Sequence, residues 1–282
     1  MRLAAAGVLA MTALVLTWEA PTAARELKPE TLAGWEKYIA LTEARMAREL
    51  AGESPFLWVD RQPEAERRRH LAALGRGEIV VSKLETRDGE KELDVKSGLI
   101  HHWIGTVLLP GTTLDRAIAF VQDYGRYPDR FSPLIQWTNV VSRSPDRFVV
   151  RMRTSMKKMM VTVVLEGDYA IDYRRVSPSR VYTRNVAANL AQIHDAGGPG
   201  ERAEPVDKGS GWLWRIATYC SFEERPDGTY EQCESASLTR GIPFAVSWIV
   251  KPFVSGIPRE SLEFTLGGVR SALGPGVTPG RR

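Results

Sequence analysis

The C-terminal end of the chain constrains the fold more than any other stretch, because its pattern predicts a long helix with one apolar stripe. Pro258 fits a first helical turn, where its missing amide hydrogen would have no partner, and Glu260 suits the positive end of the helix dipole. Gly274 and the proline after it predict the helix end. The stripe, with spacings of four, three and four residues, consists of Leu262, Leu266, Val269 and Leu273. Such a helix must bury its stripe against another layer.

The preceding sequence predicts an antiparallel sheet as that layer. Strand-like runs follow one another over residues 136–239 without a long helix between them. Residues 161–173 alternate apolar and polar side chains with a period of two, so one face of that strand is buried and the other is wet. A strand at residues 100–109 and helical segments at 112–131 come before these runs, and a hairpin over 211–239 closes them. The expected order is strand, two helical segments, several strands and a long helix.

The first residues predict a signal peptide. Arg2 is followed by an uncharged apolar run over residues 3–16, and the small residues at 22–24 offer a cleavage site after Ala24. The apolar run is shorter than the ~20 residues that a membrane-spanning helix needs. We therefore expect an exported protein, periplasmic or secreted.

Four regions are expected along the chain. They are the signal peptide at 1–24, an N-terminal helical and extended region at 25–97, a main domain at 98–274 and a flexible tail at 275–282. Hydrophobic residues make up 43% of the sequence and charged residues 26%, which is ordinary for a globular protein. The net charge of +4 is small for this length and argues against a nucleic-acid partner.

The element order and three short motifs carry a family resemblance. The motifs are GLIHHWIGT from residue 98, DYGRY from residue 123 and IPRESL from residue 257. Over residues 98–273 the chain resembles the START-like (SRPBCC, helix-grip) superfamily, including exported bacterial members without an assigned activity. The resemblance implies an α+β helix-grip fold, in which a curved antiparallel sheet wraps a long C-terminal helix. It also implies a cavity between sheet and helix for a hydrophobic small molecule such as a lipid, sterol, isoprenoid or polyketide.

Side chains suited to such a cavity occur in the sheet and in both helical parts. Aromatic side chains in a sheet are more often ordinary core, although small-molecule pockets use the same residue types. The candidate ligand-binding residues are Trp103, Tyr124, Trp137, Tyr169, Tyr182, Trp214, Arg215, Tyr219, Glu234, Phe244, Trp248, Leu262 and Leu266.

The two faces of the 211–239 hairpin are hard to assign from the sequence. One face carries Arg215, Tyr219, Tyr230 and Glu234, and the other carries Trp214, Ile216, Cys220, Cys233 and Ser235. If the first face points inward, its two charges must pair or meet a ligand head group, because an isolated buried charge is very costly. If the second face points inward, both charges lie on the surface. The interpretation favoured here places the charged pair inward.

The two cysteines, Cys220 and Cys233, flank a turn at residues 225–228. They lie opposite each other if all four of those residues form the loop, and diagonally if only Asp227 and Gly228 turn. An exported protein can keep a disulfide. A disulfide and two buried thiols both remain open.

Three functional hypotheses follow. The leading one is a non-catalytic protein that binds a hydrophobic molecule in the cavity. An enzyme of cyclase or isomerase type would use the same cavity, with Arg215, Tyr219 and Glu234 as acid, base or oxyanion partners. An envelope interaction module with a filled core would use the N-terminal helices and residues 241–256, whose apolar side chains also suit a gate or transient contact with a membrane surface.

The sequence indicates no metal and no cofactor. His101 and His102 are neighbours on a strand and point to opposite faces, which is poor geometry for one metal ion. Neither a Gly-rich phosphate loop nor a Gly-x-Ser-x-Gly nucleophile motif is present. We therefore predict no catalytic residue and leave the oligomeric state open.

Overall fold

A computed structural model describes the backbone of residues 25–274 except 94, 159–160, 210 and 242–243, and the side chains of these residues except 25, 158, 161 and 244–255. The predicted signal peptide at 1–24 and tail at 275–282 lie outside the described residues. The strands are β1 Arg25–Glu26, β2 Val80–Lys83, β3 Arg87–Asp88, β4 Lys91–Glu92, β5 Gly98–Pro110, β6 Ile135–Arg143, β7 Arg147–Lys158, β8 Val161–Ser177, β9 Arg180–His194, β10 Arg202–Ala203, β11 Lys208–Gly209, β12 Arg215–Arg225 and β13 Gly228–Arg240. The helices are α1 Pro29–Leu50, α2 Glu64–Gly75, α3 Leu114–Gln122, α4 Tyr127–Arg130 and α5 Phe244–Leu273, with 3-10 turns at Trp58–Arg61 and Tyr124–Arg126.

Within the described residues, nine strands form one antiparallel sheet. Its order is β2-β5-β13-β12-β9-β8-β7-β6, with β10 paired to β9. The strands from β6 to β9 follow one another as hairpins, and the β12–β13 hairpin then joins them to β5. The predicted antiparallel sheet is thus confirmed, including the strand with period two, which is β8.

Helix α5 packs on this sheet through the predicted stripe. Leu262, Leu266, Val269 and Leu273 are all buried in one cluster with residues of β5, β12 and β13. The close approach depends on Gly105 in β5, where an added Cβ would lie only 2.6 Å from a methyl carbon of Leu266. A long helix on a sheet of this topology is the arrangement expected of a helix-grip fold, and the fold prediction is confirmed.

The helix begins earlier than predicted. Helix α5 starts at Phe244, so Pro258 lies inside it and not in its first turn. Proline has no amide hydrogen to donate to the carbonyl four residues before it, and local sequence rules therefore favour a helix start at such a position. The predicted helix start at Pro258 was wrong, because α5 continues through this proline without the hydrogen bond that its nitrogen cannot donate.

Residues 25–97 cover the opposite face of the sheet. Trp35, Tyr38 and Met46 of α1 are buried in a cluster with Ala217 of β12 and Leu238 of β13. The same region supplies β2, which pairs with β5 at the edge of the sheet. The sheet therefore has helices on both faces, and side chains of β12 and β13 are buried whichever way they point.

Cys220 and Cys233 form a disulfide between β12 and β13. The two residues are direct partners in the register, with their Cα atoms 4.1 Å apart. Glu224 lies opposite Thr229, as opposed cysteines required, but Arg225 also pairs with Gly228, so only Pro226 and Asp227 form the turn. A disulfide that closes a short loop typically stabilises a protein by about 2–4 kcal/mol. The bond links two neighbouring inner strands of the sheet near the middle of each strand.

Candidate functional site

A cavity of about 530 Å³ lies between the sheet and α5. Most of its wall surface is apolar, and its polar side-chain groups include the hydroxyls of four tyrosines, five threonines and three serines, one amide and one carboxyl. The lining residues are Val121, Tyr124, Tyr127, Phe131, Leu134, Ile135, Met152, Thr154, Met156, Val163, Tyr169, Ile171, Tyr173, Thr183, Asn185, Trp212, Leu213, Ile216, Thr218, Cys220, Phe222, Glu231, Cys233, Ser235, Ser237, Thr239, Ile257, Pro258, Ser261, Leu262, Thr265, Leu266 and Val269.

The alternation of the β12–β13 hairpin decides which side chains reach this cavity. Ile216, Thr218, Cys220 and Phe222 of β12 line it, as do Glu231, Cys233, Ser235 and Ser237 of β13. Intervening residues of both strands point to the face covered by α1 and α2. The disulfide sulfurs therefore form part of the cavity wall.

Tyrosines gather at the wall formed by β8 and the turn after α3. The hydroxyl oxygens of Tyr124 and Tyr173 are 2.6 Å apart, and the Tyr127 hydroxyl donates to the carbonyl oxygen of Val121 at 2.6 Å. Burial raises the pKa of Tyr169 to about 12 and that of Tyr173 above its ordinary value. These phenols are therefore neutral at physiological pH.

Glu231 differs from every other described side chain of the cavity wall, because it alone carries a carboxyl group. It is 3% exposed, and its Oε2 atom has no hydrogen-bond partner among the described residues. Its Oε1 lies 3.7 Å from the sulfur of Cys233, which has no proton to donate because it is in the disulfide. Burial raises the pKa of Glu231 to about 8. At neutral pH this side chain is mostly a carboxylic acid, able to donate and to accept a hydrogen bond.

Four of the residues predicted from the sequence line the cavity. They are Tyr124, Tyr169, Leu262 and Leu266. Their role in ligand binding stays a prediction. The side chains of Phe244 and Trp248 lie outside the described residues.

The remaining predicted residues whose side chains are described do not line the cavity, and the favoured orientation of the hairpin was wrong. Tyr182 stacks on Tyr219 in the cluster under α1, with ring centroids 6.5 Å apart, and Trp214 is buried in that cluster too. Arg215 pairs with Asp207, with Nη2 3.0 Å from Oδ2. The physical reason is that α1 covers this face, so its apolar and charged side chains are buried without facing a cavity.

Two predicted tryptophans also lie elsewhere. The ring of Trp103 lies beneath the guanidinium of Arg259, and that of Trp137 lies beneath the guanidinium of Arg153, each at 5.9 Å from the ring centroid. Both rings thus pack against arginines that reach across the sheet or from α5. The correction is that they contribute cation–π contacts and not cavity wall.

Glu234 is the centre of a separate polar cluster between α1 and the sheet. Its carboxylate pairs with Arg45, and its Oε1 lies 2.7 Å from Nε2 of His102. The other ring nitrogen of His102 lies 2.8 Å from the hydroxyl of Tyr38, and this hydroxyl accepts the backbone N–H of Thr86. Burial alone would raise the pKa of Glu234, but the hydrogen bond from His102 and the charge of Arg45 hold it below its ordinary value.

The enzyme hypothesis loses its named residues through this arrangement. Glu234 and Tyr219 lie on the α1 side of the sheet, where the Tyr219 hydroxyl donates to Glu43 at 2.8 Å. Arg215 is held by Asp207. None of the three faces the cavity, so they cannot act on a molecule bound there.

The sequence analysis missed the carboxyl that does face the cavity. Glu231 lies two residues before Cys233, and a period of two places both on one face of β13. Assigning the cysteine face to the interior would have been enough to find it. The described residues contain no group of three or more His, Cys, Asp and Glu side chains that could hold a metal ion.

Two comparisons of the sequence with known proteins find no match. No protein-family model matches the sequence. A search of curated proteins gives no match either.

No helix within the described part of the chain is long and apolar enough to cross a membrane.

Solved structures do match. A STAR-related lipid transfer protein from Xanthomonas axonopodis is 14% identical, with 68% of this chain and 98% of that chain covered and a TM-score of 0.43. A Streptomyces aromatase/cyclase is 11% identical, with coverage of 62% and 94% and a TM-score of 0.42. Human STARD10 is 9% identical, with coverage of 75% and 81% and a TM-score of 0.41. At identities of 9–14%, these matches report a likeness of fold alone.

Proposed function

We propose that this protein binds a hydrophobic small molecule in the cavity between the sheet and α5. The observation that carries the proposal is the cavity of about 530 Å³ with its mainly apolar wall. Pockets for small molecules typically have volumes of about 300–1,000 Å³, with an apolar lining and a few placed polar groups. The volume suits one molecule of the size of a sterol, a polyketide or a short lipid.

A packed core would not leave such a space. Protein interiors reach the density of organic crystals, and voids larger than a water molecule are few. An empty apolar cavity also costs stability, because the atoms around it lose dispersion contacts. The volume therefore supports a binding role over an interaction module with a filled core.

A substitution that fills the cavity tests the proposal. Thr265 lines the cavity from α5, whereas its neighbour Phe264 is 42% exposed. Wild-type protein purified from its own cell envelope is expected to carry a near-stoichiometric hydrophobic molecule, seen by native mass spectrometry and identified after solvent extraction. Thr265→Trp is expected to lose that molecule, because the indole occupies its space, and the matched control Phe264→Trp is expected to keep it.

The contrary results are equally clear. An empty wild-type protein would contradict the proposal, as would full retention in a folded Thr265→Trp variant. Circular dichroism and the unfolding midpoint of each variant establish that it is folded before its ligand content is compared.

We also propose that the protein contacts a membrane surface transiently through residues 241–256 when ligand is exchanged.

We further propose that the protein is exported. The disulfide between Cys220 and Cys233 supports export, because disulfides persist in oxidising compartments. In a Gram-negative host, wild-type protein is expected in the periplasmic fraction with Arg25 as its N-terminal residue. Leu14→Arg interrupts the apolar run and is expected to keep the protein in the cytoplasm. An uncleaved, cytoplasmic wild-type protein would contradict export.

A further inference from the structure

The carboxyl of Glu231 has no structural explanation in the described part of the chain. It is buried in an apolar wall, and its Oε2 lacks a partner. A buried polar group without a hydrogen bond costs free energy, so this side chain destabilises the protein with the cavity as it stands. A group that is costly to the fold and aimed into a cavity needs a partner that the chain itself does not supply.

Two tyrosine hydroxyls near Glu231 form hydrogen bonds with other groups. Tyr127 and Tyr173 lie close enough for the charge of Glu231 to affect them. However, the Tyr127 hydroxyl donates to the carbonyl oxygen of Val121, and the Tyr173 hydroxyl pairs with that of Tyr124. In the described part of the chain no hydrogen bond joins either hydroxyl to Glu231, so the carboxyl keeps its donor and acceptor functions available to a molecule in the cavity.

We infer that Glu231 is the polar anchor of the cavity, and that the ligand is an amphiphile with a neutral hydroxyl, carbonyl or amide group at the end that meets this carboxyl. The inference rests on the proposed function, since it assigns a chemistry to the molecule bound there. The apolar body of the ligand would lie against the side chains that α5 contributes, among them Leu262 and Leu266.

The wall also excludes charged head groups. Its described residues include no lysine, arginine or histidine, so a phosphate or carboxylate would be buried without a counter-charge. The acid form of Glu231 can donate to a carbonyl or hydroxyl oxygen and can accept from a hydroxyl or amide. A neutral polar group therefore suits the site better than an anion.

Two fluorescent probes of equal size test the anchor. 2-Naphthol and 2-methylnaphthalene share a ring system and differ only in hydroxyl against methyl. Their dissociation constants are measured at pH 6 for wild-type protein, Glu231→Leu and Glu231→Gln. The quantity compared is the dissociation constant of 2-methylnaphthalene divided by that of 2-naphthol, because this ratio cancels the shared hydrophobic contribution.

The ratio is expected to fall about tenfold from wild type to Glu231→Leu, because leucine cannot form the hydrogen bond to 2-naphthol. Tenfold is the change in a dissociation constant that the loss of one buried hydrogen bond typically causes. Glu231→Gln is expected to keep most of the preference, because an amide also donates and accepts. Binding of both probes with the same ratio in wild type and Glu231→Leu would overturn the anchor and leave the binding cavity intact. A wild-type protein that binds neither probe would overturn the proposed function and the anchor together.

Discussion

Replacing Glu234 by glutamine is expected to lower the free energy of unfolding by about 2 kcal/mol, because buried His102 and partly exposed Arg45 lose a charged acceptor, although Arg45 keeps its pair with Glu49. Glu234 is 3% exposed, and its carboxylate both pairs with Arg45 and lies 2.7 Å from His102. The glutamine keeps the shape of the side chain but loses the charge. The loss of stability is therefore electrostatic, and it weakens the attachment of α1 to the sheet.

Denaturant unfolding at pH 7 measures this effect, with Glu263→Gln as the control. Glu263 forms a surface pair with Arg259 on α5, at 2.9 Å, and its substitution is expected to change stability by at most about 0.5 kcal/mol. An equally small change for Glu234→Gln would show that the cluster under α1 does not stabilise the fold.

The same variant carries a pH signature. The folded-state pKa of Glu234 is held below its ordinary value of 4.5, so its contribution is complete above pH 4.5 and is lost as the pH falls through the lowered pKa. The stability difference between wild type and Glu234→Gln is thus expected to shrink in acid.

The sequence was sufficient to predict the architecture, because the architecture depends on periodicity. The stripe of α5 is a property of spacing alone, and so is the alternation of β8. The N-cap of α3 is equally local, because the Oγ1 of Thr113 accepts the backbone N–H of Arg116, three residues later in the chain. Each of these features is determined by residues close together in the chain.

The orientation of the β12–β13 hairpin could not be predicted in the same way. Both of its faces are covered, one by α5 and the other by α1, so both carry apolar and polar residues. Glu234 is buried because Arg45, far away in the sequence, reaches it from α1. The sequence of the hairpin itself gives no sign of that contact. The prediction therefore placed Arg215 and Glu234 on the wrong face.

The two glutamates of β13 show what the alternation does to one residue type. Glu231 and Glu234 are three positions apart and point to opposite faces of the sheet. One meets an arginine and a histidine, and its pKa falls. The other meets only an apolar cavity, and its pKa rises. Structural and functional roles are thus separated by the direction of a side chain, which the strand register determines.

Replacing Glu231 by glutamine is expected to change the pH dependence of stability in the opposite sense to Glu234. The folded-state pKa of Glu231 is raised from 4.5 to about 8. Below pH 4.5 the carboxyl is protonated in both the folded and the unfolded chain, so its titration does not affect stability. Between pH 4.5 and about 8 the unfolded chain releases the proton and the folded chain keeps it, so stability falls as the pH rises. The slope in this window is about 1.4 kcal/mol per pH unit.

Wild-type protein is therefore expected to lose about 3–4 kcal/mol relative to Glu231→Gln between pH 5 and pH 8 in the absence of ligand. Denaturant unfolding of both proteins at the two pH values gives this difference. The other titratable groups are the same in both proteins, so their contributions to the free energy of unfolding cancel. For Glu263→Gln the corresponding difference is expected to stay within about 0.5 kcal/mol. A pH-independent gap between wild type and Glu231→Gln would mean that the carboxyl is solvated or paired in the folded protein. It would then be neither a buried acid nor an unpaired group that a ligand has to satisfy.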